Sequence, residues 1–518
     1  MTRRKTWRPK GGVALWCVFF LDLAVAQVKA VPPEWTRQLG TAAVEVGYGV
    51  SADGLGNVYI TGYTAGSLDG PNAGDNDAFL SKYNASGNLQ WTRQLGTAIA
   101  DYSYEVSADG LGNVYISGSL GGTIAGTSDA FLSKYDAAGS LQWTRQIENS
   151  ENSKGVCADT LGNVYISGNT VNDLGGPHAG MGDVFVRKYD SAGDPIWTRQ
   201  LGTSASDENY GISVDGLGNV YITGQTDGEL GSIHAGSADA FLTKYSAAGT
   251  LLWTQQLGTV GADYGTGVSA DILGNVFISG YTNGELVATF GAEDAFVAMY
   301  DAAGSLQWTR QLGTFAEDHG LAASVDGLGN VYISGYTAGN LGGPNAGATD
   351  AFISKFDAAG NLQWTQQLGT SAHDQSNGVS VDGLGNVYIS GETDGSLGGP
   401  NSGGRDAFVA KFRDSPGDYD FNGIVDVADY VLWRSNVGNT VPRCTGGDAN
   451  CNSFVENEEY QPWRENYGRT YGLNPGAAGS AYGDAARSIP EPSALLLVGL
   501  ATLGMIGLGA HRRRASAG

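Results

Sequence analysis

The chain has 518 residues, a formal net charge of −24 and only 16% charged residues. This length accommodates one large architecture with smaller appendages. So negative a chain repels phosphate backbones and anionic lipids, and the composition therefore excludes nucleic acid as an expected partner.

The first 26 residues are organised like a secretory signal peptide. A basic region that ends at Lys10 precedes an apolar run, and the small residues Ala24-Val25-Ala26 offer a cleavage site. Asp22 interrupts the apolar run, which leaves an uncleaved membrane anchor as the alternative. We expect residues 1–26 to be removed and the protein to be exported.

A repeat of 52 to 56 residues follows, a period typical of solenoids and propellers. One tryptophan marks each unit: Trp35, Trp91, Trp143, Trp197, Trp253, Trp308 and Trp364. Each unit holds four short β-like runs separated by turn residues, and no run has helical periodicity. In the sixth unit the runs are Leu321–Asp326, Asn330–Thr337, Asp350–Asp357 and Asn361–Gly369.

The two ends of this region complement each other. The stretch WTRQLG at Trp35–Gly40 is a fourth strand without a preceding three, and the last unit ends with its third strand at Asp406–Asp414. Pairing these strands would close a ring, which a solenoid does not need. The sequence therefore predicts an all-β fold, a closed seven-bladed β-propeller over residues 27–414. The units resemble the SBBP β-propeller repeat family.

Carboxylates recur at three fixed places in the repeat. One set heads the turn between the first two strands: Asp53, Asp109, Asp159, Asp215, Asp271, Asp326 and Asp382. A second set stands eight residues earlier, at the start of the innermost strand: Glu45, Asp101, Glu151, Asp207, Asp263, Asp318 and Asp374. A third set opens the third strand: Asp77, Asp129, Asp183, Asp239, Asp294, Asp350 and Asp406. We expect these side chains to cap loops by accepting backbone hydrogen bonds. Cation sites, or a cationic ligand drawn to the central channel, are the alternatives.

Any ligand is expected on one face of the propeller. The connections between strands two and three vary between units, and a rigid scaffold carries function on such loops. His178 and His234 lie in these loops at positions that hold Asn in other units, which is typical of a loop polar group. No residue is predicted to be catalytic, because carboxylates that repeat in every blade cannot be differentiated into an acid and a base. An extracellular polysaccharide-acting enzyme with its site in these loops is the alternative.

Two stretches after the propeller match the calcium-binding loop of an EF-hand. The first would bind through Asp418, Asp420, Asn422, the carbonyl of Ile424, Asp426 and Asp429. The second, 30 residues later, would bind through Asp448, Asn450, Asn452, the carbonyl of Phe454, Glu456 and Glu459. Alternating oxygen ligands on a tight loop suit Ca²⁺. The sequence thus predicts paired calcium sites, with an acidic linker as the alternative.

A short helix is expected after each loop, and residues 415–469 resemble a type I dockerin, a small α-helical calcium module. That resemblance implies a cohesin-like partner on another protein. The residue pair with which this family usually recognises cohesin is not evident. The resemblance therefore supports calcium binding more strongly than cohesin binding. Cys444 and Cys451 could form a local disulfide in an oxidising compartment.

The tail begins with a Gly/Ala/Ser-rich stretch, residues 470–488, which is predicted to be a flexible linker. Residues 489–514 place Pro490-Glu491-Pro492 before an apolar segment long enough for a transmembrane helix and then a cluster of arginines. This order resembles the PEP-CTERM sorting signal of exopolysaccharide-producing bacteria, which implies an exosortase-type processing enzyme. A plain membrane anchor is the alternative.

These features together predict a non-catalytic binding or structural protein. We expect it at the cell surface or in the extracellular matrix, anchored transiently in the membrane by its C-terminal helix. The expected cofactor is Ca²⁺, and the candidate partners are an exosortase-type enzyme, a cohesin-like domain and an exopolysaccharide.

Overall fold

The computed structural model describes residues 32–121, 128–148, 150–288, 290–413, 417–419, 425–441 and 454–468. Within them, 28 β-strands form seven antiparallel sheets of four strands each. Each sheet is one blade of a propeller. The predicted all-β, seven-bladed fold is confirmed.

The strands are numbered in chain order. Blade 1 contains β2 (Glu45–Ala52), β3 (Val58–Thr64), β4 (Asp77–Tyr83) and β5 (Leu89–Leu95). Blade 2 contains β6 (Tyr102–Ala108), β7 (Val114–Gly121), β8 (Ser128–Tyr135) and β9 (Leu141–Ile147). Blade 3 contains β10 (Asn152–Ala158), β11 (Val164–Thr170), β12 (Asp183–Tyr189) and β13 (Pro195–Leu201). Blade 4 contains β14 (Asp207–Val214), β15 (Val220–Thr226), β16 (Asp239–Tyr245) and β17 (Leu251–Leu257).

The remaining blades repeat this order. Blade 5 contains β18 (Asp263–Ala270), β19 (Val276–Thr282), β20 (Asp294–Tyr300) and β21 (Leu306–Leu312). Blade 6 contains β22 (Asp318–Val325), β23 (Val331–Thr337), β24 (Asp350–Phe356) and β25 (Leu362–Leu368). Blade 7 contains β26 (Asp374–Val381), β27 (Asn386–Thr393), β28 (Asp406–Arg413) and the N-terminal strand β1 (Trp35–Leu39).

Blade 7 closes the ring with both ends of the propeller. Strand β1 pairs antiparallel with β28, with Trp35 opposite Lys411 and Leu39 opposite Ala407. The sequence WTRQL of β1 is therefore the outer strand of the last blade. This confirms the prediction that the unmatched N-terminal strand completes the last repeat unit. Closure leaves no blade with only three strands.

The hydrophobic core lies between neighbouring blades. Between blades 1 and 2, Tyr59 and Leu80 pack with Ile116 and Phe131, and each is at most 1% exposed. The middle strands of a blade are buried on both faces, which explains their nearly continuous runs of Val, Ile, Phe and Tyr. Full burial of one such side chain contributes about 1.5–3 kcal/mol. Because each blade covers two neighbours, the ring is expected to fold as a unit.

The innermost strands begin earlier than the sequence predicted. In blade 6 the strand runs from Asp318 to Val325, whereas the sequence predicted its start at Leu321. Leu321 is a bulged residue, skipped in the pairing between Gly320 opposite Gly335 and Ala322 opposite Ser334. A bulge inserts one residue and shifts the two-residue alternation. The residues before it therefore did not look like part of the same strand.

The predicted hairpin turns are confirmed. In blade 6, Asp326 Oδ1 accepts hydrogen bonds from the backbone N–H groups of Leu328 and Asn330, both at 2.9 Å. Its Oδ2 accepts a third from the Asn330 amide at 2.7 Å. Gly329 has φ of +81°, which favours glycine at this place. The aspartate is thus fully used by its own turn.

Two short α-helices and one 3₁₀-helix follow the propeller: α1 (Val427–Asn436), the 3₁₀-helix (Asn457–Glu459) and α2 (Tyr460–Asn466). Helix α1 starts with a capping box, because Asp426 accepts from the Ala428 N–H and Asp429 accepts from the Asp426 N–H. Pro462 lies in the first turn of α2, where its missing N–H costs little.

No helix in the described part of the chain is long and apolar enough to cross a membrane. Several predicted features lie outside the described residues: the signal peptide 1–26, Cys444 and Cys451, the linker 470–488 and the transmembrane segment within 489–514.

Candidate functional site

The carboxylates at the start of the innermost strands are buried and hydrogen-bonded. In blade 4, Asp207 Oδ2 accepts from the Thr203 N–H at 2.5 Å and from the Thr203 hydroxyl at 2.9 Å, and the Thr226 hydroxyl donates to Oδ1. Burial raises the pKa of Asp207 in spite of these hydrogen bonds. The threonine four residues before the carboxylate makes the same contacts in blades 1, 2, 5, 6 and 7. The hydroxyl of the second-strand threonine donates to the carboxylate again in blades 1, 6 and 7. In these blades the predicted capping role is confirmed.

The carboxylates that open the third strands cap the variable loops. Asp239 Oδ2 accepts from the Ala235 N–H at 2.9 Å and from the Gln256 amide at 2.7 Å, and it is 1% exposed. The glutamine comes from the outer strand and also holds the loop, since its carbonyl oxygen accepts from the Leu230 N–H at 3.1 Å. Across the described residues, no three His, Cys, Asp or Glu side chains are grouped so that they could hold a metal ion.

The two loop histidines belong to the same capping system. His234 Nδ1 lies 3.4 Å from Asp239 Oδ2, and His178 Nδ1 lies 3.6 Å from Asp183 Oδ2. The backbone N–H of His178 donates to Asp173, as that of Asn345 donates to Asn340 in blade 6. Histidine and asparagine thus serve the same loop position.

Every innermost strand carries a β-bulge three residues after its first carboxylate position. In blade 4, Asn209 pairs with Gly224 and Gly211 pairs with Thr223, so that Tyr210 has no partner across the strand. Bulges re-aim a side chain and are frequent next to functional sites. The seven residues at this position, here named the channel ring, are Tyr48, Tyr104, Lys154, Tyr210, Thr266, Leu321 and Asn377.

The channel ring lines one cavity on the propeller axis. The cavity has a volume of about 620 Å³, and all seven residues of the channel ring contribute to its wall. Tyr281, His319, Tyr336 and Gln375 extend the wall towards the end of the channel where the variable loops lie. A cavity of this size can hold a small ligand or one or two units of a polymer.

Aromatic side chains cover the wall contributed by blades 1 and 2. The rings of Tyr48 and Tyr104, which line the cavity, lie 5.4 Å apart. They contact Tyr63 and Tyr102, which are not lining residues and which meet edge to face at 5.0 Å. The ammonium of Lys154, from blade 3, lies 3.8 Å from the centre of the Tyr104 ring. Burial raises the pKa of Tyr104 to about 12, so its phenol remains a hydrogen-bond donor at neutral pH.

A second aromatic wall comes from blades 5 and 6. Tyr264 stacks on Tyr281 at 4.6 Å, and Tyr281 stacks on His319 at 3.8 Å. His319 Nδ1 lies 2.8 Å from the Tyr336 hydroxyl, while its Nε2 contacts the carboxylate of Glu293. Burial, together with nearby carboxylates, raises the pKa of Tyr336 to about 12. This wall is rigid, because each ring is held by its neighbours.

The rest of the wall combines aliphatic side chains, such as Leu321 and Val268, with polar groups. Gln375 donates to Asn377 Oδ1 at 2.6 Å, and Asn377 donates to the Gly47 carbonyl at 2.9 Å. Glu105 follows Tyr104 and faces the cavity, and burial raises its pKa to about 8. The cavity therefore offers aromatic surface, amides, phenols, one lysine and one carboxylic acid that is neutral below about pH 8.

The channel ring is not among the candidate residues predicted from the sequence. Those were the carboxylates, which accept hydrogen bonds from their own loops through one or both oxygens, and the variable loops. A signal was present: within near-identical repeats, the third residue after the first carboxylate is Tyr, Tyr, Lys, Tyr, Thr, Leu and Asn in successive blades. The residue one after the carboxylate also differs between blades, whereas the second strands that follow are nearly constant. Such divergence at the start of the innermost strands indicates a role other than folding the blade.

The C-terminal helices form a second candidate site with internal two-fold symmetry. Trp433 Nε1 donates to the Glu456 carbonyl at 2.9 Å, and Trp463 Nε1 donates to the Asp426 carbonyl at 2.6 Å. Both the donors and the acceptors of these two bonds are 30 residues apart. The two indoles pack in one apolar cluster with Val425 and its counterpart Val455.

Some of the predicted calcium ligands can be located in this module. Asp429 is fully buried and accepts from the backbone N–H groups of Tyr419 at 2.6 Å and Asp426 at 2.7 Å. Glu459, its counterpart, is 1% exposed and accepts from the Glu456 N–H at 2.8 Å. Asp418 is buried, whereas Phe454 is exposed. Asp420, Asn422, Ile424, Asp448, Asn450 and Asn452 lie outside the described residues.

Comparison with known proteins supports the repeat and the tail. Six segments match the family model SBBP, described as a beta-propeller repeat: residues 34–69, 90–119, 142–175, 196–231, 252–286 and 363–398. Residues 488–514 match the PEP-CTERM protein-sorting motif. That motif indicates an exported, sorted protein and implies processing by an exosortase-type enzyme.

Several known proteins are similar to this chain over much of its length. Regulatory protein FlaEY of Caulobacter vibrioides is 27% identical over 426 residues, which are 71% of this chain but only 44% of that protein. Among solved structures, the WD40 domain of Neurospora crassa Pan2 has a TM-score of 0.42 at 9% identity, covering 74% of this chain and 100% of that one. The β-propeller domain of the trilobed protease of Pyrococcus furiosus has a TM-score of 0.43 at 10% identity, covering 73% and 94%.

The chain is therefore a seven-bladed β-propeller that carries SBBP-type repeats and ends in a PEP-CTERM protein-sorting motif.

Proposed function

We propose that this protein is an exported, non-catalytic binding protein of the cell envelope, and that its propeller holds an extracellular ligand in the channel cavity. The observation that carries the proposal is the channel ring. Each of the seven blades contributes the bulged residue of its innermost strand to a single cavity of about 620 Å³, and these seven residues are of five different types.

The composition of the cavity supports binding. Aromatic residues at an interior surface give large contact area at low entropic cost, and amides and phenols supply directional hydrogen bonds. The hydroxyls of Tyr48, Tyr104 and Tyr281 form no hydrogen bond with any described residue, so they are available to a ligand. An exopolysaccharide of the envelope is the ligand we favour, because its repeating hydroxyls match these donors and acceptors.

The C-terminal module has a separate proposed role. We infer that residues 415–469 bind two Ca²⁺ ions through the twelve residues that the loop pattern indicates. Three of those carboxylates, on Asp418, Asp429 and Glu459, are buried beside an apolar cluster, where a cation would offset the cost of their charge. A cohesin-like partner would dock on the folded module.

Location follows from the two ends of the chain. The signal peptide would deliver the protein across the membrane, and the apolar segment of 489–514 would hold it there until an exosortase-type enzyme processes the tail. Replacing Pro490-Glu491-Pro492 by alanines should then leave unprocessed protein in the membrane of the native host. Normal maturation of that variant would reduce the tail to an ordinary anchor.

The test of ligand binding is a screen of the purified chain on an array of soluble polysaccharides and peptides. A variant with Tyr104→Ala and Tyr210→Ala removes two members of the channel ring. The matched control, Leu55→Ala with Leu273→Ala, removes two exposed apolar side chains from hairpin turns outside the cavity. We expect retention of a ligand that the channel variant loses and the control keeps. Release of new reducing ends would instead favour the polysaccharide-acting enzyme.

A further inference from the structure

The channel ring contains one charged residue, Lys154, and its surroundings are unusual for a lysine. The other six members are Tyr, Tyr, Tyr, Thr, Leu and Asn, and among the described residues that line the cavity Lys154 is the only lysine or arginine. The chain as a whole has 29 basic and 53 acidic residues. A lysine that faces the axis of so acidic a protein would be expected to meet a carboxylate.

Lys154 forms no ion pair within 4.0 Å and no hydrogen bond with any described residue. Its ammonium lies on the Tyr104 ring instead, at 3.8 Å from the ring centre. Glu208, the carboxylate whose charge acts on it, is engaged by the Tyr210 hydroxyl at 2.8 Å. Burial lowers the pKa of Lys154, which is the expected effect of a poorly hydrated ammonium.

Other lysines of the propeller show what the fold itself requires. Lys82 donates to the Ala137 carbonyl at 3.3 Å, and Lys244 donates to the Ala302 carbonyl at 3.1 Å. Each of these also lies near a tyrosine ring, at 5.2 and 4.9 Å, so the aromatic contact alone does not distinguish Lys154. The difference is that Lys154 has three unused donors at the surface of a cavity.

We propose that Lys154 anchors a single carboxylate of the ligand, and that the cavity binds a sugar acid of the uronate type. This inference rests on the proposed function and names the ligand class of the same site. An ammonium that is partly desolvated gains most from a charged acceptor. Tyr104, which contacts Lys154, and Tyr48, which contacts Tyr104, also line the cavity, and in the proposed complex their phenols bond the ring hydroxyls of the sugar.

The rest of the wall favours a ligand with one negative charge over a ligand with several. Glu105 is a neutral acid below about pH 8 and tolerates a nearby anion, but no second lysine or arginine is found among the described lining residues. A phosphate group or a polyanionic stretch would therefore lack partners and would meet the field of the acidic chain. A sugar ring with a single carboxylate fits a wall that has one cationic partner, and it carries only one charge into the field of the acidic chain.

The experiment compares three sugar probes that share one ring type. Their binding to the whole chain is measured by saturation-transfer NMR and calorimetry. The probes are glucuronate, glucose and glucosamine, which differ in having a negative charge, no charge or a positive charge. We expect glucuronate to bind about 10- to 100-fold more tightly than glucose, the range for one hydrogen bond to a charged group. Lys154→Met should remove this preference, and Lys154→Arg should retain most of it.

The control variant is Lys82→Met, which removes the same charge outside the cavity and should leave glucuronate binding unchanged. Circular dichroism and the melting temperature of each variant show that it is folded. Equal affinity for glucose and glucuronate, tighter binding of glucosamine, or no effect of Lys154→Met in a folded protein would overturn the inference. If another ligand is bound and is lost in the Tyr104→Ala, Tyr210→Ala variant, the proposed function stands while the sugar acid is wrong.

Discussion

The indole of Trp35 lies directly over Gly87, a residue of the next blade. A Cβ atom at Gly87 would lie 2.7 Å from Trp35 Cδ2, and Trp35 Nε1 donates to the Ala85 carbonyl of the same turn at 3.1 Å. The same pairing recurs around the propeller: Trp91 with Gly139, Trp143 with Gly193, Trp197 with Gly249, Trp253 with Gly304 and Trp308 with Gly360. The outer strands thus connect neighbouring blades at six of the seven junctions.

We therefore expect Gly87→Ala to destabilise the propeller by about 1–3 kcal/mol, since Gly87 has φ of +74° and no room for a side chain. The measurement is the free energy of unfolding from chemical denaturation. Gly54→Ala is the matched control, because no heavy atom lies within 4 Å of its Cβ position. Equal unfolding midpoints for the two variants would show that the tryptophan contact does not limit stability.

Much of this fold could be predicted from the sequence, because the seven repeats can be compared with one another. Turn residues such as Asp326 and Gly329 recur at fixed offsets, and the unmatched strand at Trp35 showed how the ring closes. The bulge at Leu321 could not be predicted, because it is defined by which residues of the neighbouring strand pair with it. The crossed bonds of Trp433 and Trp463 depend likewise on how two helices pack.

A second prediction concerns the serine that connects the innermost strands. Its hydroxyl accepts a backbone N–H from the next blade; Ser213, for example, accepts from Ala270 at 3.1 Å. Blade 3 has Cys157 instead, a free thiol whose pKa burial raises well above its ordinary value. A thiol is a weak acceptor, so Cys157→Ser should stabilise the protein by about 0.5–1.5 kcal/mol through a new bond to the Val214 N–H.

The reverse change provides the control. Ser324 accepts from the Val381 N–H at 3.2 Å, and Ser324→Cys should cost a similar amount. Thermal unfolding of both variants measures the effect. If both variants lose stability, the prediction that serine at position 157 gains a stabilising hydrogen bond is wrong.

A third prediction follows from Glu105, whose pKa burial raises from 4.5 to about 8. Between these values the folded protein holds a proton that the unfolded chain releases, so this group makes stability fall as the pH rises through that window. Glu105→Gln removes the dependence. We expect wild type and variant to melt at similar temperatures near pH 4, and the variant to melt higher at pH 9. Parallel melting curves across this range would place Glu105 in water rather than in the channel wall.

A fourth prediction tests the proposed calcium module. Without a cation the acidic loops of residues 415–469 repel themselves, and so short a segment has little core to offset that cost. The isolated segment should therefore fold only when calcium is added. Asp429→Ala should cost more affinity than Glu459→Ala, because the calcium-loop pattern has glycine at its sixth position, where the first loop has Gly423 and the second has Ser453. A segment already ordered in excess chelator, with no heat on calcium addition, would contradict the assignment.

The central claim is that the propeller holds its ligand through the channel ring, and one titration tests it most directly. The tightest ligand from the array is titrated into wild type, the Tyr104→Ala, Tyr210→Ala variant and the Leu55→Ala, Leu273→Ala control, each shown to be folded. Removing two aromatic contacts should weaken binding at least about 10-fold, while the control should match wild type. Unchanged affinity in the channel variant would move the site out of the channel and contradict the account.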